Sequence, residues 1–491
     1  MRDDELRRLL SEANPWWSCA ASKRDPTTWQ EHNRSLRARQ QVDLGYRSRI
    51  LNDIATDPID GSLVVLTGPR RIGKTVALLE AAAALCRRSD LDPRQIIHAP
   101  CDGLSAHDLR RLLTLARSLT RSIDQQGNQP RVWLFDEVSG INGWTSAFKA
   151  ARDNTAFGDD TVVATGSRWV SHEDVQANLL AGRAGNSDRR RIRQLMPMSF
   201  REFVRLTRPE LGLPTRRHPA ELMEPAVADE LLALAYEIDA YDLAWQDYLC
   251  CGGFPRAVTE HHRFGAVSRP YQRDLLAWLR ADVDPFAALE SLPQLLSTLG
   301  THMTSPFDLQ KAAAVAGFGS REAFALRLQR LINTHALLRC RRRLDDGRAL
   351  PRAQAKHYLT DPLLAWLPSN LSPGLPPPAM TGLSELVLGV TLARSIDALD
   401  EGRWIADDTI GYARTDSGKE IDLSPVRVPA EGTAGITVPI ESKWVEDGWR
   451  QDALVLEGRY GRGIMATKSI LDLEHPCWAI PAPLLACLLA T

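Results

Sequence analysis

Two segments of the sequence have the residue types and spacing needed to bind a phosphate and a metal ion. GPRRIGKT, residues 68–75, has the glycine, lysine and hydroxyl pattern of a phosphate-binding loop. Its glycines permit a tight turn whose backbone N–H groups point toward a phosphate. VWLFDE, residues 132–137, ends on two adjacent carboxylates, which suit a magnesium ion and a water molecule. Together the segments predict a site for a nucleoside triphosphate.

Each residue of this site has an expected role. Lys74 would reach the β- and γ-phosphates, and Thr75 would bind Mg²⁺. Asp136 would hold the same ion, and Glu137 would orient or deprotonate the attacking water. The predicted reaction is therefore hydrolysis of the triphosphate. The residues expected to contact the nucleotide are Gly68, Pro69, Arg70, Arg71, Ile72, Gly73, Lys74, Thr75 and Val76.

Further polar residues are expected to complete the site. The segment TVVATGS ends in Thr165 and Ser167, either of which could sense the γ-phosphate. A strand-end hydroxyl that caps the next segment is the alternative. Arg183 is the predicted catalytic arginine, and Arg193 is a second candidate for stabilising charge in the transition state. Most of the surrounding RRRIR run is more typical of a solvated basic face.

The elements that must position these residues alternate between strands and helices. Buried strands are predicted at 63–67, 95–99, 131–135 and 161–165, and helices at 74–88, 105–122 and 144–152. This alternation predicts an α/β fold with a parallel sheet and helices on both faces. A strand between the loop strand and the acid strand is typical of the additional-strand P-loop ATPases.

A second group of charged residues lies toward the end of the chain. Asp422 falls in EIDLSPV, while Glu441 and Lys443 are two residues apart and would share one face of a strand. Glu385, on the preceding helix, is a candidate third carboxylate, and Glu420 is a weaker one. This set suits metal-assisted hydrolysis of a phosphodiester. The alternative is an inactive nuclease-like fold retained as a binding module.

Many short segments occur in the order found in the prokaryotic AAA-type ATPases that carry a C-terminal DUF4143 domain. They are GPRRIGKT, LFDEVSGINGW, ATGS, LAGRAG, PMSFREFV, CGGFPRAV, KHYLTDPLLAW, GLSELVLG and GKEIDL…PIESK. The sequence resembles this family over residues 12–470. Ser139 departs from it, because many relatives have Gln there. The resemblance implies ATP as the nucleotide, an AAA+-like core, a helical lid, a winged helix and a C-terminal domain similar to restriction endonucleases.

The domains expected from these patterns and from the resemblance follow one another along the chain. They are an N-terminal helical arm (1–45), the ATPase core (46–210), a helical lid (211–285), a winged helix (286–368), a Pro-rich linker (369–380) and the DUF4143 domain (381–491). Residues 320–356 are rich in Arg and Lys. A winged helix there would bring a helix and an Arg-rich hairpin to DNA. Packing between domains, with a solvated basic face, is the alternative.

The bulk composition narrows the class of protein. The net charge of -1 gives no global attraction to nucleic acid, and hydrophobic residues make up 44% of the chain. The sequence has no long apolar run and no secretory signal pattern, which predicts a cytoplasmic protein without membrane contact. The cysteines have no paired spacing, which indicates free thiols. Three functions stay open: an ATP-driven DNA-processing enzyme with a C-terminal nuclease, a nucleotide-switched DNA-binding regulator, and an ATPase that engages a protein partner or a second copy.

Overall fold

The computed structural model describes residues 1–22, 24–41, 43–167, 189–284, 289–344, 347–350, 352–406, 409–430 and 433–490. The chain forms two compact units, Met1–Met196 and Pro197–Thr491. All eight cysteines are free thiols, as their spacing predicted. Among the described residues, no helix has both the length and the apolar character needed to cross a bilayer.

The first unit is built on five parallel strands. They are β1 (Leu63–Thr67), β2 (Ile96–Pro100), β3 (Val132–Asp136), β4 (Thr161–Gly166) and β5 (Ile192–Gln194). The helices are α1 (Asp3–Ala13), α2 (Trp16–Ala21), α3 (Arg34–Gln41), α4 (Asn52–Thr56), α5 (Lys74–Cys86), α6 (Ala106–Leu119) and α7 (Trp144–Asn154). The strand order is β2-β3-β4-β1-β5, and each neighbouring pair is parallel. This confirms the predicted additional-strand core, because β4 lies between the loop strand and the acid strand.

The strands form the core of this unit because helices cover both faces of the sheet. All residues of β1 and β4 are buried, and Trp133 on β3 has no exposed surface. The edge strand β2 is covered by the N-terminal segment. Asn14 exchanges two hydrogen bonds with the backbone of His98, and the indole N–H of Trp16 donates to the Ile96 carbonyl at 3.0 Å. These bonds satisfy backbone groups that an open sheet edge would leave unpaired.

The second unit begins with helices and ends with strands and helices. Its helices are α8 (Phe200–Thr207), α9 (Pro225–Ala233), α10 (Ile238–Cys251), α11 (Pro255–Phe264), α12 (Arg269–Val283), α13 (Ser291–Thr301), α14 (Leu309–Val315), α15 (Arg321–Asn333), α16 (Pro362–Leu371), α17 (Met380–Leu399), α18 (Trp449–Tyr460) and α19 (Ala482–Leu489). Its strands are β6 (Leu337–Arg342), β7 (Lys356–Leu359), β8 (Gly411–Arg414), β9 (Glu420–Ile421), β10 (Arg427–Ala430), β11 (Thr433–Ile436), β12 (Ile440–Ser442), β13 (Gly463–Thr467) and β14 (Cys477–Pro481).

Three sheets organise the strands of the second unit. They have the orders β7-β6-β8-β9, β10-β11 and β12-β13-β14. The strands β12, β13 and β14 are parallel, and β6 and β7 form an antiparallel pair. An antiparallel bridge joins Leu423 to Ile440 and brings the end of β9 beside β12. This bridge places Asp422, which directly follows β9, beside Glu441 on β12.

Candidate functional site

The loop after β1 has the backbone conformation of a phosphate-binding turn. Arg71 and Gly73 are left-handed, with φ of 65° and 103°, and Gly73 caps the N-terminus of α5. A side chain at Gly68 would place its Cβ 2.1 Å from the carbonyl oxygen of Leu195, so only glycine fits there. Lys74, Thr75 and Val76 form the first turn of α5, whose N–H groups are unpaired within the helix and suit an anion.

The side chains at the start of α5 and the end of β3 meet directly. The Thr75 hydroxyl donates to Asp136 Oδ2 at 2.7 Å, and the Thr165 hydroxyl donates to Asp136 Oδ1 at 2.9 Å. The Lys74 ammonium is buried and donates to the carbonyls of Gly68 and Pro69 at 2.9 and 3.0 Å. The structure thus brings together the lysine, the hydroxyl and the first carboxylate that the sequence predicted.

The second carboxylate, Glu137, is held by hydroxyl and amide donors. Oε1 of Glu137 accepts hydrogen bonds from the Ser167 hydroxyl at 2.6 Å, the Ser167 amide at 2.9 Å and the Ser139 hydroxyl at 3.1 Å. Burial raises its pKa, but the charge of Lys74 and these hydrogen bonds outweigh burial and leave the pKa below its usual value. Glu137 is therefore ionised at neutral pH.

The backbone of Glu137 is also unusual. This residue has φ of 64° and ψ of 48°, a left-handed conformation that is uncommon outside glycine. Its amide donates to the Thr165 hydroxyl at 3.0 Å. Such a conformation costs of the order of 1 kcal/mol and is kept where the surroundings enforce it, as at active sites. The sequence did not signal this conformation or the hydrogen bond from Ser139.

The predicted sensors and arginines have different positions. Thr165 and Ser167 both reach the acidic pair, as described above. Arg183 lies outside the described residues. Arg193, on β5, makes a bidentate ion pair with Asp53 at 2.6 and 2.7 Å and also donates to the Ile50 carbonyl. The structure therefore places Arg193 in an ion pair with α4 and does not bring it to the acidic pair.

The donors at this site fit Mg²⁺ and a triphosphate. Mg²⁺ in nucleotide sites usually takes one or two protein oxygens, and its other ligands are phosphate oxygens and water. Thr75 and Asp136 supply one hydroxyl and one carboxylate at 2.7 Å from each other. The turn between Gly68 and Gly73 supplies backbone N–H groups and a cation beside them. The site can therefore hold a magnesium nucleotide with Glu137 next to it.

The predicted C-terminal set lines a cavity of about 650 Å³ in the second unit. Its lining includes Glu385, Glu420, Asp422, Glu441, Ser442 and Lys443. The Lys443 ammonium lies 3.3 Å from Glu441 Oε1. The Asp422 amide donates to Glu441 Oε2 at 3.1 Å, and the Ser442 amide donates to Asp422 Oδ2 at 3.0 Å. The structure thus brings the predicted carboxylates and lysine to one place.

A residue that sequence reasoning assigned elsewhere completes this set. Lys356, on β7, has no exposed side-chain surface, and its ammonium contacts three carboxylates. The distances are 2.9 Å to Glu385 Oε1, 2.8 Å to Glu420 Oε1 and 2.7 Å to Asp422 Oδ1. Lys356 belongs to the basic segment 320–356, for which a DNA-binding face and packing between domains with a solvated basic face were the two alternatives. For Lys356 an exposed basic position is wrong, because its side chain is buried.

The carboxyls of this cavity have shifted acidities. Burial, followed by the charge of Asp422, raises the pKa of Glu441 to about 8, although Lys443 opposes the shift. The same two causes raise the pKa of Glu385 to about 7, against the charge of Lys356. Both carboxyls therefore carry protons for part of the time near neutral pH. The two lysines can then balance the charges of the other two carboxylates.

The cavity is a poor fit for the divalent ion that the predicted chemistry requires. The donor type is suitable, since carboxylates bind Mg²⁺ and Mn²⁺. However, three of the carboxylates converge on the ammonium of Lys356. Over the described ranges, no group of three or more His, Cys, Asp or Glu side chains is arranged to hold a metal ion.

The basic segment 320–356 is only partly a surface. Arg321, Arg348 and Arg352 are exposed, but Arg343 is buried. Arg327 is held by Asp284 at 2.9 Å, and Arg330 donates to the Val283 carbonyl at 2.8 Å. Part of the predicted DNA-binding charge thus serves packing inside the second unit.

Comparisons with known proteins agree with the first site. Residues 60–204 match the family model described as an AAA domain. This stretch contains the loop, the acidic pair and the additional strand, so the match supports nucleotide binding and hydrolysis by the first unit. No curated protein matches the chain.

Solved structures show weaker likeness. The Walker-type ATPase PABY2304 of Pyrococcus abyssi is 14% identical over 65% of this chain and 93% of that chain, with a TM-score of 0.38. The RuvB Holliday junction branch migration motor of Thermotoga maritima is 15% identical over 67% and 95%, with a TM-score of 0.24. The ORC1 protein of Aeropyrum pernix, in complex with DNA, is 12% identical over 65% and 90%, with a TM-score of 0.29. These TM-scores are low. The fold of the first unit is therefore assigned from its strand order and from the AAA-domain match.

Proposed function

We propose that the protein binds ATP with Mg²⁺ and hydrolyses it at the loop between β1 and α5. The observation that carries this proposal is the meeting of Thr75, Asp136 and Glu137 beside the turn that begins at Gly68. The 2.7 Å contact between Thr75 and Asp136 joins the phosphate-binding turn to the acidic strand end. ATP, in preference to GTP, is proposed from the resemblance to AAA-type ATPases.

The residues of the site divide the work of hydrolysis. Amides of the turn and the Lys74 ammonium would bind the phosphates and stabilise the charge that develops on them. Thr75 and Asp136 would hold the magnesium, which neutralises phosphate charge when bound. Glu137 would accept the proton of the attacking water or orient it. The oxygen of that water forms the new bond to the γ-phosphorus while the bond from this phosphorus to the β–γ bridging oxygen breaks, and ADP leaves with that oxygen. Ser167 and Thr165 would keep Glu137 and Asp136 in position.

The direct test compares binding with turnover. In Glu137→Gln, we expect Mg-ATP to bind about as tightly as in the wild type, while phosphate release slows about a hundredfold or more. Glu12→Gln removes an exposed carboxylate from α1 and serves as the matched control. Absence of Mg-ATP binding by the wild type would refute the function itself. Unchanged turnover in Glu137→Gln would refute only the role of that residue.

We also propose that the nucleotide state controls engagement of DNA or a protein partner by the second unit. The order of three helices followed by the β6–β7 hairpin supports the predicted winged helix over 286–368. Arg321, Arg348 and Arg352 have exposed side chains, which would let them contact phosphates. Replacing both Arg348 and Arg352 with Ala should weaken duplex binding. It should also make the slope of log affinity against log salt concentration shallower by about one per lost contact. Salt-sensitive binding that ignores both substitutions and nucleotide would contradict this proposal.

For the C-terminal cavity, the arrangement favours a nuclease-like domain that does not cleave. The supporting observation is the contact of Lys356 with three of the predicted carboxylates. Plasmid DNA incubated with the protein and Mg²⁺ or Mn²⁺ should stay intact. Metal-dependent cleavage that disappears in Asp422→Ala or Lys443→Ala would establish the alternative, an active nuclease.

A further inference from the structure

We propose that Lys356 is a resident cation of the C-terminal cavity, occupying the place between Glu385, Glu420 and Asp422 where a divalent ion would otherwise bind. The inference concerns ion binding and does not depend on ATP hydrolysis. It also supplies a physical cause for a cavity that does not cleave DNA. It is tested by counting bound ions, so the two proposals can fail separately.

The ammonium of Lys356 is surrounded by carboxylate oxygens. A lysine has three N–H donors and no acceptor. Three carboxylate oxygens, each from a different residue, lie 2.7 to 2.9 Å from Nζ of Lys356. Two of these contacts, to Glu385 and Asp422, are hydrogen bonds, and the third, to Glu420, is an ion pair. An ammonium with no exposed surface requires such pairing, because a buried unpaired charge is very unfavourable.

The fold fixes the position of this lysine. All four residues of β7 are buried, and β7 pairs antiparallel with β6. Tyr358 lies two residues further along β7 and therefore on the same face as Lys356. Its hydroxyl donates to Glu385 Oε1 at 2.6 Å, the oxygen that Lys356 also contacts. Lys356 therefore reaches the carboxylates from a rigid strand. Lys443, in contrast, keeps 36% of its side-chain surface exposed at the rim.

Both oxygens of Asp422, of Glu441 and of Glu420 already have positively charged or amide partners from the protein. Asp422 receives Lys356 on Oδ1 and the Ser442 amide on Oδ2. Glu441 receives Lys443 on Oε1 and the Asp422 amide on Oε2. Glu420 receives Lys356 on Oε1 and Arg414 on Oε2. A divalent ion would have to displace these donors to gain ligands.

Charge repulsion prevents the lysine and a metal ion from sharing the same ligands. Mg²⁺ and Ca²⁺ bind carboxylate oxygens at about 2.0–2.6 Å, which would bring a second cation close to the ammonium. Like charges this close in a buried environment repel strongly. Removing the positive charge while leaving the carboxylates should therefore create a divalent-ion site that the wild type lacks.

The test counts Mn²⁺ ions bound to the full chain without nucleotide, from the loss of the free-ion EPR signal. Lys356→Gln should bind one more ion per chain than the wild type, and its thermal midpoint should rise when Mn²⁺ is added. Lys356→Arg, which keeps the charge, should bind the wild-type number. Lys311→Gln removes an exposed lysine of the same unit and should also bind the wild-type number. The double variant Lys356→Gln with Asp422→Asn should lose the extra ion.

Two results would overturn the proposal. One is a folded Lys356→Gln protein, verified by circular dichroism, that binds no more Mn²⁺ than the wild type. The other needs no change at Lys356, so it applies even if that variant does not fold. If the wild type binds an ion that Asp422→Asn alone does not, a divalent ion shares the cavity with Lys356. Equal numbers of ions in the wild type and Asp422→Asn would support the proposal.

Discussion

The two acidic sites of this protein hold their carboxylates with different kinds of donor. At the end of β3, Asp136 and Glu137 are held by the hydroxyls of Thr75, Thr165 and Ser167, which are neutral donors. In the C-terminal cavity, an ammonium holds three carboxylates. Neutral donors fix the geometry of a carboxylate and leave its charge in place, so a metal ion is still attracted. A buried lysine fixes the geometry and also cancels charge. Similar sets of acidic residues can therefore differ in how strongly they attract a metal ion, because the donors around them differ in charge.

Removal of the lysine should produce the largest effect on stability. Lys356→Gln leaves the buried carboxylates of Glu385 and Asp422, and the half-buried one of Glu420, without their cation, which should lower the local free energy of unfolding by about 3–5 kcal/mol. Hydrogen exchange of amides in β7 and α17 measures this directly. Lys311→Gln, at an exposed site, should change exchange by no more than about 0.5 kcal/mol. Equal exchange in both variants would show that the ammonium does not hold the cavity together.

A comparable loss, in turnover instead of stability, is expected at the first site. Lys74→Ala should lower the rate of ATP hydrolysis by about 10²–10³, because it removes a donor to the charge that develops on the phosphates. Phosphate release under saturating ATP measures the effect. Lys149→Ala, on α7, is the control and should hydrolyse ATP at the wild-type rate. If Lys74→Ala hydrolyses ATP at the wild-type rate, Lys74 does not act on the phosphates. The contrast between the nucleotide site, which receives its metal ion with the nucleotide, and the C-terminal cavity, which contains Lys356, would then fail.

The raised pKa values of the cavity carboxyls predict a pH dependence of stability in the second unit. The pKa of Glu441 rises from 4.5 to about 8 on folding. The folded state therefore holds this proton more tightly than the unfolded state does. The stabilisation is complete below pH 4.5 and is lost as the pH rises through about 8. Glu441→Gln cannot ionise and should flatten this loss in urea unfolding measured across that pH range. If stability depends on pH in the same way in Glu441→Gln and in the wild type, the raised pKa of Glu441 in the folded protein would be contradicted.

The smallest expected effect concerns Ser139. Its hydroxyl is one of three donors to Glu137 Oε1, at 3.1 Å. Ser139→Ala should lower kcat about fivefold with little change in KM, since one hydrogen bond contributes about 1 kcal/mol. Ser139→Thr keeps the hydroxyl and should restore most of the rate. A change in KM alone would indicate that Ser139 acts on nucleotide binding and does not position Glu137.

The nucleotide site was accessible from the sequence because its chemistry is concentrated in short segments. Lys74 and Thr75 follow the loop that they serve, and Asp136 ends a buried strand whose carboxyl end must meet that loop in a parallel sheet. Arg193 was less accessible, because its ion pair with Asp53 depends on where β5 and α4 lie. Arg183 lies outside the described residues, so the catalytic arginine stays a prediction.

The C-terminal cavity shows why the remaining interactions could not be predicted. The motif of Asp422, Glu441 and Lys443 was visible, and the structure brings these residues together. Lys356, however, contacts carboxylates 29 and 66 residues away along the chain. In the sequence, it belongs to a run of basic residues. Nothing local distinguishes a lysine directed into a cluster of acids from one directed into solvent.

The sequence by itself determined the parallel sheet, the phosphate-binding turn and the carboxylates at both sites, because strand periodicity, glycine spacing and strand ends are local properties. Only the tertiary structure decided which cation each carboxylate meets. Electrostatic pairing depends on distance through space and on burial, and both arise when β7, α17 and β9 pack together. The same acidic residue types therefore form a site suited to magnesium in one unit and a site filled by lysine in the other.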